Sequence, residues 1–154
     1  MIDKDTYLRY CDDALVAMRD LVMGLGDDLA NRRPDLPGAN SPFAILTHCL
    51  GVVAHWASTV NLGLVVPRDR DAEFRATGTV VDLARDTDAI RRAFAQWVEA
   101  ADVDAPPVNP SRYDGAPTTQ GEVLLHVYEE LAQHRGHLEI TRDVLQADAG
   151  SRRP

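Results

Sequence analysis

Three clusters of proline and glycine, at residues 24–42, 67–78 and 106–117, divide this chain into four segments. Helices and strands tolerate these residues poorly in their interiors, so each cluster marks a connection. Every segment between the clusters is long enough for a helix and carries apolar residues at spacings of three and four. No segment shows the alternation of period two that strands require. The pattern therefore predicts an all-α protein, a four-helix bundle.

The four predicted helices cover residues 3–25, 42–65, 79–101 and 118–145. Ser41 is suited to the N-cap of the second helix and Pro42 to its first turn, where no amide donor is missed. Thr119 and Glu122 have the spacing of a capping box at the start of the fourth helix. The first and third helices each carry one apolar stripe: Tyr7, Leu8, Cys11, Leu15, Met18, Val22 and Leu25, then Val80, Leu83, Thr87, Ile90, Phe94, Trp97 and Val98.

The length of 154 residues fits one domain, which we place at residues 1–148, with residues 149–154 as a flexible tail. The net charge of −8 repels phosphate backbones and anionic lipid heads, so we expect neither a nucleic-acid nor a membrane partner. No apolar run approaches the roughly 20 residues that span a bilayer, and no secretory signal precedes the first helix. Cys11 and Cys49 make no disulfide framework, which indicates reduced thiols and a cytoplasmic protein.

Side chains that bind metals concentrate on the fourth helix. Glu130 and His134 are four residues apart, so they lie about 40° apart around the helix and one turn along it. His126 and His137 occupy the same or an adjoining face, which they share with apolar residues such as Val127. The cluster therefore points inward or into a cleft, where a carboxylate and imidazoles need a partner. A divalent cation is one such partner.

A third ligand should come from another helix, and His48 is the natural candidate because it shares a face with Ile45 and Val52. His48, Glu130 and His134 supply two imidazoles and one carboxylate. Such a set leaves positions open for water or substrate, as a catalytic Zn²⁺ site requires, and it also suits Fe²⁺ or Ni²⁺. The ion would lower the pKa of a bound water or thiol, so no side chain needs to act as the nucleophile.

Helical geometry alone leaves a second interpretation open, in which Glu130 and His134 form a hydrogen-bonded pair and His48 is a satisfied core histidine. The zincin motif and the paired Glu-x-x-His of di-iron bundles are both absent, so a metal site here is mononuclear. His55 lies about 10 Å along the helix from His48, too far to bind the same ion. We expect five residues to surround the ligands or line the pocket: His55, Trp56, His126, His137 and Tyr113.

Two stretches resemble the DinB/YfiT-like metalloenzyme superfamily. Residues 41–56 resemble its second helix, in which an early histidine, here His48, is the first metal ligand. Residues 129–137 resemble its fourth helix, with Glu130 and His134 as Glu-x-x-x-His followed by Gly-His. That form is typical of the branch near mycothiol S-transferases and the N-terminal domain of mycothiol-dependent maleylpyruvate isomerases. The resemblance implies a bacterial four-helix bundle with one divalent metal ion, Zn²⁺ before Ni²⁺ or Fe²⁺, held by His48, Glu130 and His134.

The resemblance also implies a function: transfer of a low-molecular-weight thiol, mycothiol or bacillithiol, to an electrophile by a homodimer. The isomerases carry an additional C-terminal domain, which this chain lacks, and the absence favours the transferase. Two alternatives stay open. One is a metal-dependent hydrolase that uses bound hydroxide, and the other is a non-enzymatic bundle, stress-related or binding a small ligand, whose histidines merely satisfy one another.

Overall fold

The structure, a computed structural model, describes residues 3–111 and 115–151, and within those ranges every regular element is helical. The second helix changes from an α-helix to a π-helix partway along. The elements in order are α1 (Lys4–Ala30), α2 (Pro42–Val53) continued by the π-helix (Ala54–Val60), α3 (Arg70–Glu73), α4 (Val80–Ala100) and α5 (Gln120–Ser151). Helix α1 packs on α4 and α5, and α2 packs on α5, α4 and α1. The prediction of an all-α bundle is confirmed.

The predicted caps of α2 and α5 are both present. Ser41 Oγ accepts a hydrogen bond from the Ala44 amide at 3.2 Å, and Pro42 occupies the first turn. Thr119 Oγ1 accepts from the Glu122 amide at 3.2 Å, and Glu122 Oε2 accepts in return from the Thr119 amide at 3.4 Å. These reciprocal bonds satisfy amides that have no partner within the helix. The caps fix where the two ligand-bearing helices begin.

Three helix ends differ from the predicted ones. The second helix, predicted to reach residue 65, ends with the π-helix at Val60. In α1 the regular geometry breaks at Gly26, whose φ of 68° is accessible to glycine at little cost, and one further turn follows as far as Ala30. Helix α5 continues beyond the predicted end at residue 145 to Ser151. The predicted tail, residues 149–154, is therefore helical as far as Ser151, and its last three residues lie outside the described residues.

The apolar stripes predicted for α1 and α4 form much of the core. Their fully buried members are Cys11, Leu15, Met18, Val22, Leu25, Val80, Leu83, Thr87, Phe94 and Val98. Trp56 and Trp97 pack against this core while remaining partly exposed. Helix α5 adds Val127, Leu131 and Leu138 from the face that adjoins its polar cluster. Burial of these side chains orients α5 so that Glu130 and His134 lie towards α2.

The helix formed by residues Pro42–Val60 is long and apolar enough to cross a membrane by length and composition alone. The statement from the sequence that no apolar run approaches this length was therefore wrong. The mean hydropathy of the helix is 1.4, and 72% of the window is buried inside the bundle. An apolar helix that is covered by other helices behaves as the core helix of a globular protein. The hydropathy of this helix is thus explained by packing within the bundle.

The connection between the π-helix and α4 contains an element that the sequence analysis did not predict, the single turn α3. Asp69 caps this turn by accepting a hydrogen bond from the Ala72 amide at 2.9 Å. A helix of four residues is too short to show a period of 3.6, and it lies inside one of the proline and glycine clusters. Helix α3 packs against α2 and places Glu73 beside His48.

Candidate metal centre

The three side chains predicted as metal ligands lie together between α2 and α5. His48, Glu130 and His134 each offer one donor atom, and these atoms all lie within 4.8 Å of one another. Nε2 of His134 lies 3.4 Å from Glu130 Oε2, and Nε2 of His48 lies 4.0 Å from the same oxygen. Ligand atoms lie about 2.0–2.2 Å from Zn²⁺, so donors at these separations can share one ion after small side-chain movements.

One side of this cluster is open to solvent. His48 is buried, with 3% of its surface exposed, whereas the side chains of Glu130 and His134 are 29% and 22% exposed. Helix α2 supplies a buried ligand, and α5 supplies two that are partly exposed. This arrangement leaves room for an additional ligand on the α5 side. The donor atoms are therefore accessible to solvent from the α5 side.

The state of His134 fits a role as a metal ligand. Burial, together with the nearby His48, lowers the pKa of His134, although the Glu130 carboxylate opposes the shift. The neutral imidazole that this favours is the form that binds a metal. Nδ1 of His134 is also buried without a hydrogen-bond partner. A half-buried ring whose Nε2 lies 3.4 Å from a carboxylate, and whose centroid is 4.9 Å from that of a second imidazole, fits a divalent cation by its donor chemistry.

Glu73 is a residue of the candidate site that the sequence analysis missed. Its Oε2 accepts a hydrogen bond from His48 Nδ1 at 2.8 Å, and Arg68 donates to both of its carboxylate oxygens, at 2.7 and 3.0 Å. Burial raises the pKa of Glu73, but the hydrogen bonds and charges of Arg68 and His48 outweigh it, so the pKa is lowered overall. Residues 68–75 include six charged residues, and nothing in the sequence distinguishes Glu73 among them.

His55 and Trp56 both lie in the π-helix and have different surroundings. His55 is half-buried and lines a cavity of about 610 Å³ together with Arg68 and Glu73, and it is not among the converging donors. Burial, and then the charge of Arg68, lower the pKa of His55. Trp56 lies edge-on to the ring of His126, with the two centroids 4.6 Å apart. π-helical turns are frequent at functional sites.

The remaining predicted pocket residues have different surroundings. His126 lies beside the cluster, with its Nε2 3.9 Å from Glu130 Oε1. His137 is exposed, and its ring centroid is 5.9 Å from that of His134. Tyr113 lies outside the described residues. His126 and Trp56 therefore border the candidate ligands, whereas His137 lies on the outer side of α5.

Neither cysteine provides a reactive thiolate in this fold. Cys49 follows His48 directly but is fully buried, and burial together with the charges of Glu130 and Glu73 raises its pKa. Cys11 lies in the core, where burial raises its pKa to about 12. The thiolate is the nucleophilic form of cysteine, so both side chains are inert near neutral pH. This agrees with the expectation that no side chain of the protein acts as the nucleophile.

Comparison with known proteins identifies one family. The family model described as Mycothiol-S-transferase matches residues 6–147, a span that contains all three candidate ligands and Glu73. The match extends over most of the 154 residues and is not confined to the two helices that carry the ligands. A search of curated proteins finds no match.

Proposed function

The chain belongs to the mycothiol-S-transferase family, and from this premise we propose that it transfers a low-molecular-weight thiol to an electrophilic substrate. The thiol is of the mycothiol or bacillithiol type. The proposed cofactor is one Zn²⁺ ion held by His48, Glu130 and His134. The observation that carries the proposal is the approach of these three side chains, from two helices far apart in sequence, to within 4.8 Å of one another.

The donor set supports catalysis more than a purely structural role for the metal. Structural zinc sites are closed by four protein ligands, whereas catalytic sites use three and leave a position open. When bound, the ion would supply the Lewis acidity that lowers the pKa of a coordinated thiol towards neutral. His48 and His134 contribute neutral donors and Glu130 contributes one negative charge. Nickel and iron suit the same ligands, and we propose zinc because thiol transfer requires no change of oxidation state.

The surrounding residues define how a substrate approaches. Glu130 and His134 are partly exposed, so the thiol and the electrophile enter on the α5 side of the centre. His126 stands beside Glu130, and Trp56 packs edge-on against His126, so the two rings provide an aromatic wall at this entrance. Because Cys49 is buried beside the site and its pKa is raised, the attacking sulfur comes from the substrate thiol.

The proposal is tested by metal content and thiol transfer measured on the same preparations. We expect freshly purified protein to contain one zinc ion per chain by elemental analysis. It should also consume a fluorogenic electrophile in the presence of mycothiol or bacillithiol and much more slowly with glutathione. His134→Ala should lose both properties. The matched control is Gln133→Ala, an exposed neighbour on α5, which should keep both.

Two outcomes would contradict the proposal: a wild-type protein without stoichiometric metal, or thiol transfer that persists in His134→Ala. Metal binding without transfer to any electrophile, but with ester or amide hydrolysis, would instead identify the metal-dependent hydrolase. Tight binding of a small ligand that is unaffected by removal of metal would identify the non-enzymatic bundle.

We also propose a single domain over residues 1–148, a homodimer and a cytoplasmic location, without nucleic-acid or membrane partners. The net charge of −8 supports the expectation of no nucleic-acid partner. The burial of 72% of the apolar helix within the bundle supports the expectation of no membrane partner. Light scattering on the purified protein tests the dimer. A monomer at micromolar concentration that retains thiol transfer would show that the dimer is not required.

A further inference from the structure

Glu73 is held by more hydrogen bonds than a simple partner for one histidine requires. Its carboxylate accepts from His48 Nδ1 at 2.8 Å and from Arg68 Nε and Nη2 at 2.7 and 3.0 Å. The Glu73 side chain is 9% exposed and that of Arg68 is 16% exposed. A bidentate arginine–carboxylate pair fixes the plane of the carboxylate as well as its position. The oxygen that faces His48 is therefore fixed in direction.

The backbone of α2 is shaped to receive this carboxylate at Gly51. A Cβ atom placed on Gly51 would lie 2.0 Å from Oε1 of Glu73 and 2.6 Å from its Cδ. Any other residue at position 51 would force the carboxylate to move. Gly51 lies three residues after His48, on the adjoining turn of the same helix. The helix thus presents a histidine and, one turn later, a space that a carboxylate fills.

The same short helix also restrains the face of the imidazole. The ring of Phe74, the residue after Glu73, stacks on the His48 ring with centroids 4.5 Å apart and an angle of 27° between the planes. The edge of His48 is bonded to Glu73 and its face is covered by Phe74, so rotation of the ring breaks both contacts. His48 Nε2, on the opposite edge, is directed towards Glu130.

We propose that Glu73, held by Arg68 and seated at Gly51, is a positioning residue that fixes His48 with its proton on Nδ1 and aims Nε2 at the metal ion. This inference rests on the proposed metal site. The two ring nitrogens of histidine are distinct, and the hydrogen bond made by one determines which is free to bind a metal. The competing explanation is a buried ion pair that merely attaches α3 to α2.

Zinc affinity, measured by competition with a chromophoric chelator, provides the first test. Glu73→Gln should weaken Zn²⁺ binding about 10–100-fold, the effect typical of losing a carboxylate behind a metal-bound histidine. Gly51→Ala should weaken it in the same direction because the new methyl group displaces the carboxylate. Gly24→Ala is the matched control, since a Cβ there meets nothing within 4 Å. Glu139→Gln removes an exposed ion pair with Arg135 and controls for loss of charge.

The second test is the position of the ring proton in the metal-free protein, read by nitrogen NMR of His48 at a pH where the ring is neutral. The wild type should carry the proton on Nδ1, and Glu73→Gln and Gly51→Ala should show a mixture of both forms. An ion pair that only attaches α3 predicts lower stability with unchanged affinity and an unchanged proton position, and that result would overturn the inference. The NMR result is independent of metal, so a failure of the proposed metal site is distinguishable from a failure of Glu73 to position His48.

Discussion

His48 and His134 meet at the same centre, but the protein holds the two rings differently. His48 is 3% exposed, donates from Nδ1 to Glu73 at 2.8 Å and stacks on Phe74. His134 belongs to a helix at the edge of the cluster, its side chain is 22% exposed, and its buried Nδ1 has no hydrogen-bond partner. The α2 side of the centre is thus fixed in advance, and the α5 side is not.

The difference between the two sides affects how the proposed metal ion would be held. A ligand that is fixed before the ion arrives determines where the ion binds, and precise sites are usually supported in this way by a layer of hydrogen bonds. In the proposed reaction, Glu130 and His134 would be free to adjust their positions when a thiol binds. A centre that was rigid on all sides would leave less freedom for an incoming ligand. The open α5 side is also where Trp56 and His126 border the entrance.

The largest expected effects come from two single substitutions, each of which removes the histidine ring from one side of the centre. His48→Ala and His134→Ala should both weaken Zn²⁺ binding more than the roughly 100-fold upper range for a supporting residue. Only His48→Ala should also destabilise the metal-free protein substantially, by about 3 kcal/mol, because it leaves a buried carboxylate oxygen of Glu73 without its His48 donor. Urea unfolding of the metal-free variants measures this. Equal destabilisation by the two variants would show that the two sides are held alike.

Removal of the metal is expected to have the next largest effect. An ion that binds only the folded state stabilises it by about 2.7 kcal/mol when its free concentration is 100-fold above Kd. For a chain of this size, that corresponds to a fall in Tm of roughly 5–10 °C after chelation, measured by calorimetry. His134→Ala and His48→Ala should show no response to the chelator. An unchanged Tm in the wild type would favour the bundle whose histidines satisfy one another.

The helices, and the pairing of Glu130 with His134 on one face of α5, were predictable from sequence because each depends on local pattern. The stripes of α1 and α4 and the one-turn spacing of Glu130 and His134 follow from a period of 3.6. The caps at Ser41 and Thr119 follow from hydroxyl side chains that accept hydrogen bonds from free amides at a helix start. The period alone did not place His48 beside Glu130, and the preference for His48 over His55 came from the family resemblance and their separation along the helix. The structure brings His48 into the cluster and turns His55 towards a different cavity.

Glu73 was unpredictable for a physical reason. Its role depends on a contact between residues 25 positions apart, made by a single helical turn in a connection rich in charge. No periodicity marks such a turn, and the space at Gly51 that receives the carboxylate resembles any other glycine in a helix. The π-helix was also unpredictable from sequence. Ser58 and Thr59 donate hydrogen bonds to backbone carbonyls there, and no simple sequence pattern encodes these bonds.

The protonation of His134 gives a pH-dependent test of the α5 side of the centre, where the ring nitrogen Nδ1 has no hydrogen-bond partner. Burial lowers its pKa below the 6.5 of an ordinary histidine, so the unfolded chain binds more protons as the pH falls below that value. The metal-free protein should therefore lose stability as the pH falls through 6.5, until the pKa of the folded state is passed. His134→Gln should reduce this loss, as should His55→Gln, since burial lowers the pKa of His55 as well. Urea unfolding across this range measures the slopes, and a slope unchanged in both variants would contradict the assignment.

The smallest expected effects lie at the N-terminal caps of α2 and α5. Comparing the two caps is a further test of whether the α2 side is held more tightly than the α5 side. Ser41 is 2% exposed, so Ser41→Ala leaves the Ala44 amide buried without an acceptor and should cost about 1–2 kcal/mol. Thr119→Ala exposes the Glu122 amide to water and should cost about 0.5–1 kcal/mol. Neither residue touches the ligands, so zinc affinity should stay at the wild-type value in both. Urea unfolding measures the two costs, and a larger loss for Thr119→Ala would show that the α5 side, not the α2 side, is the more tightly built.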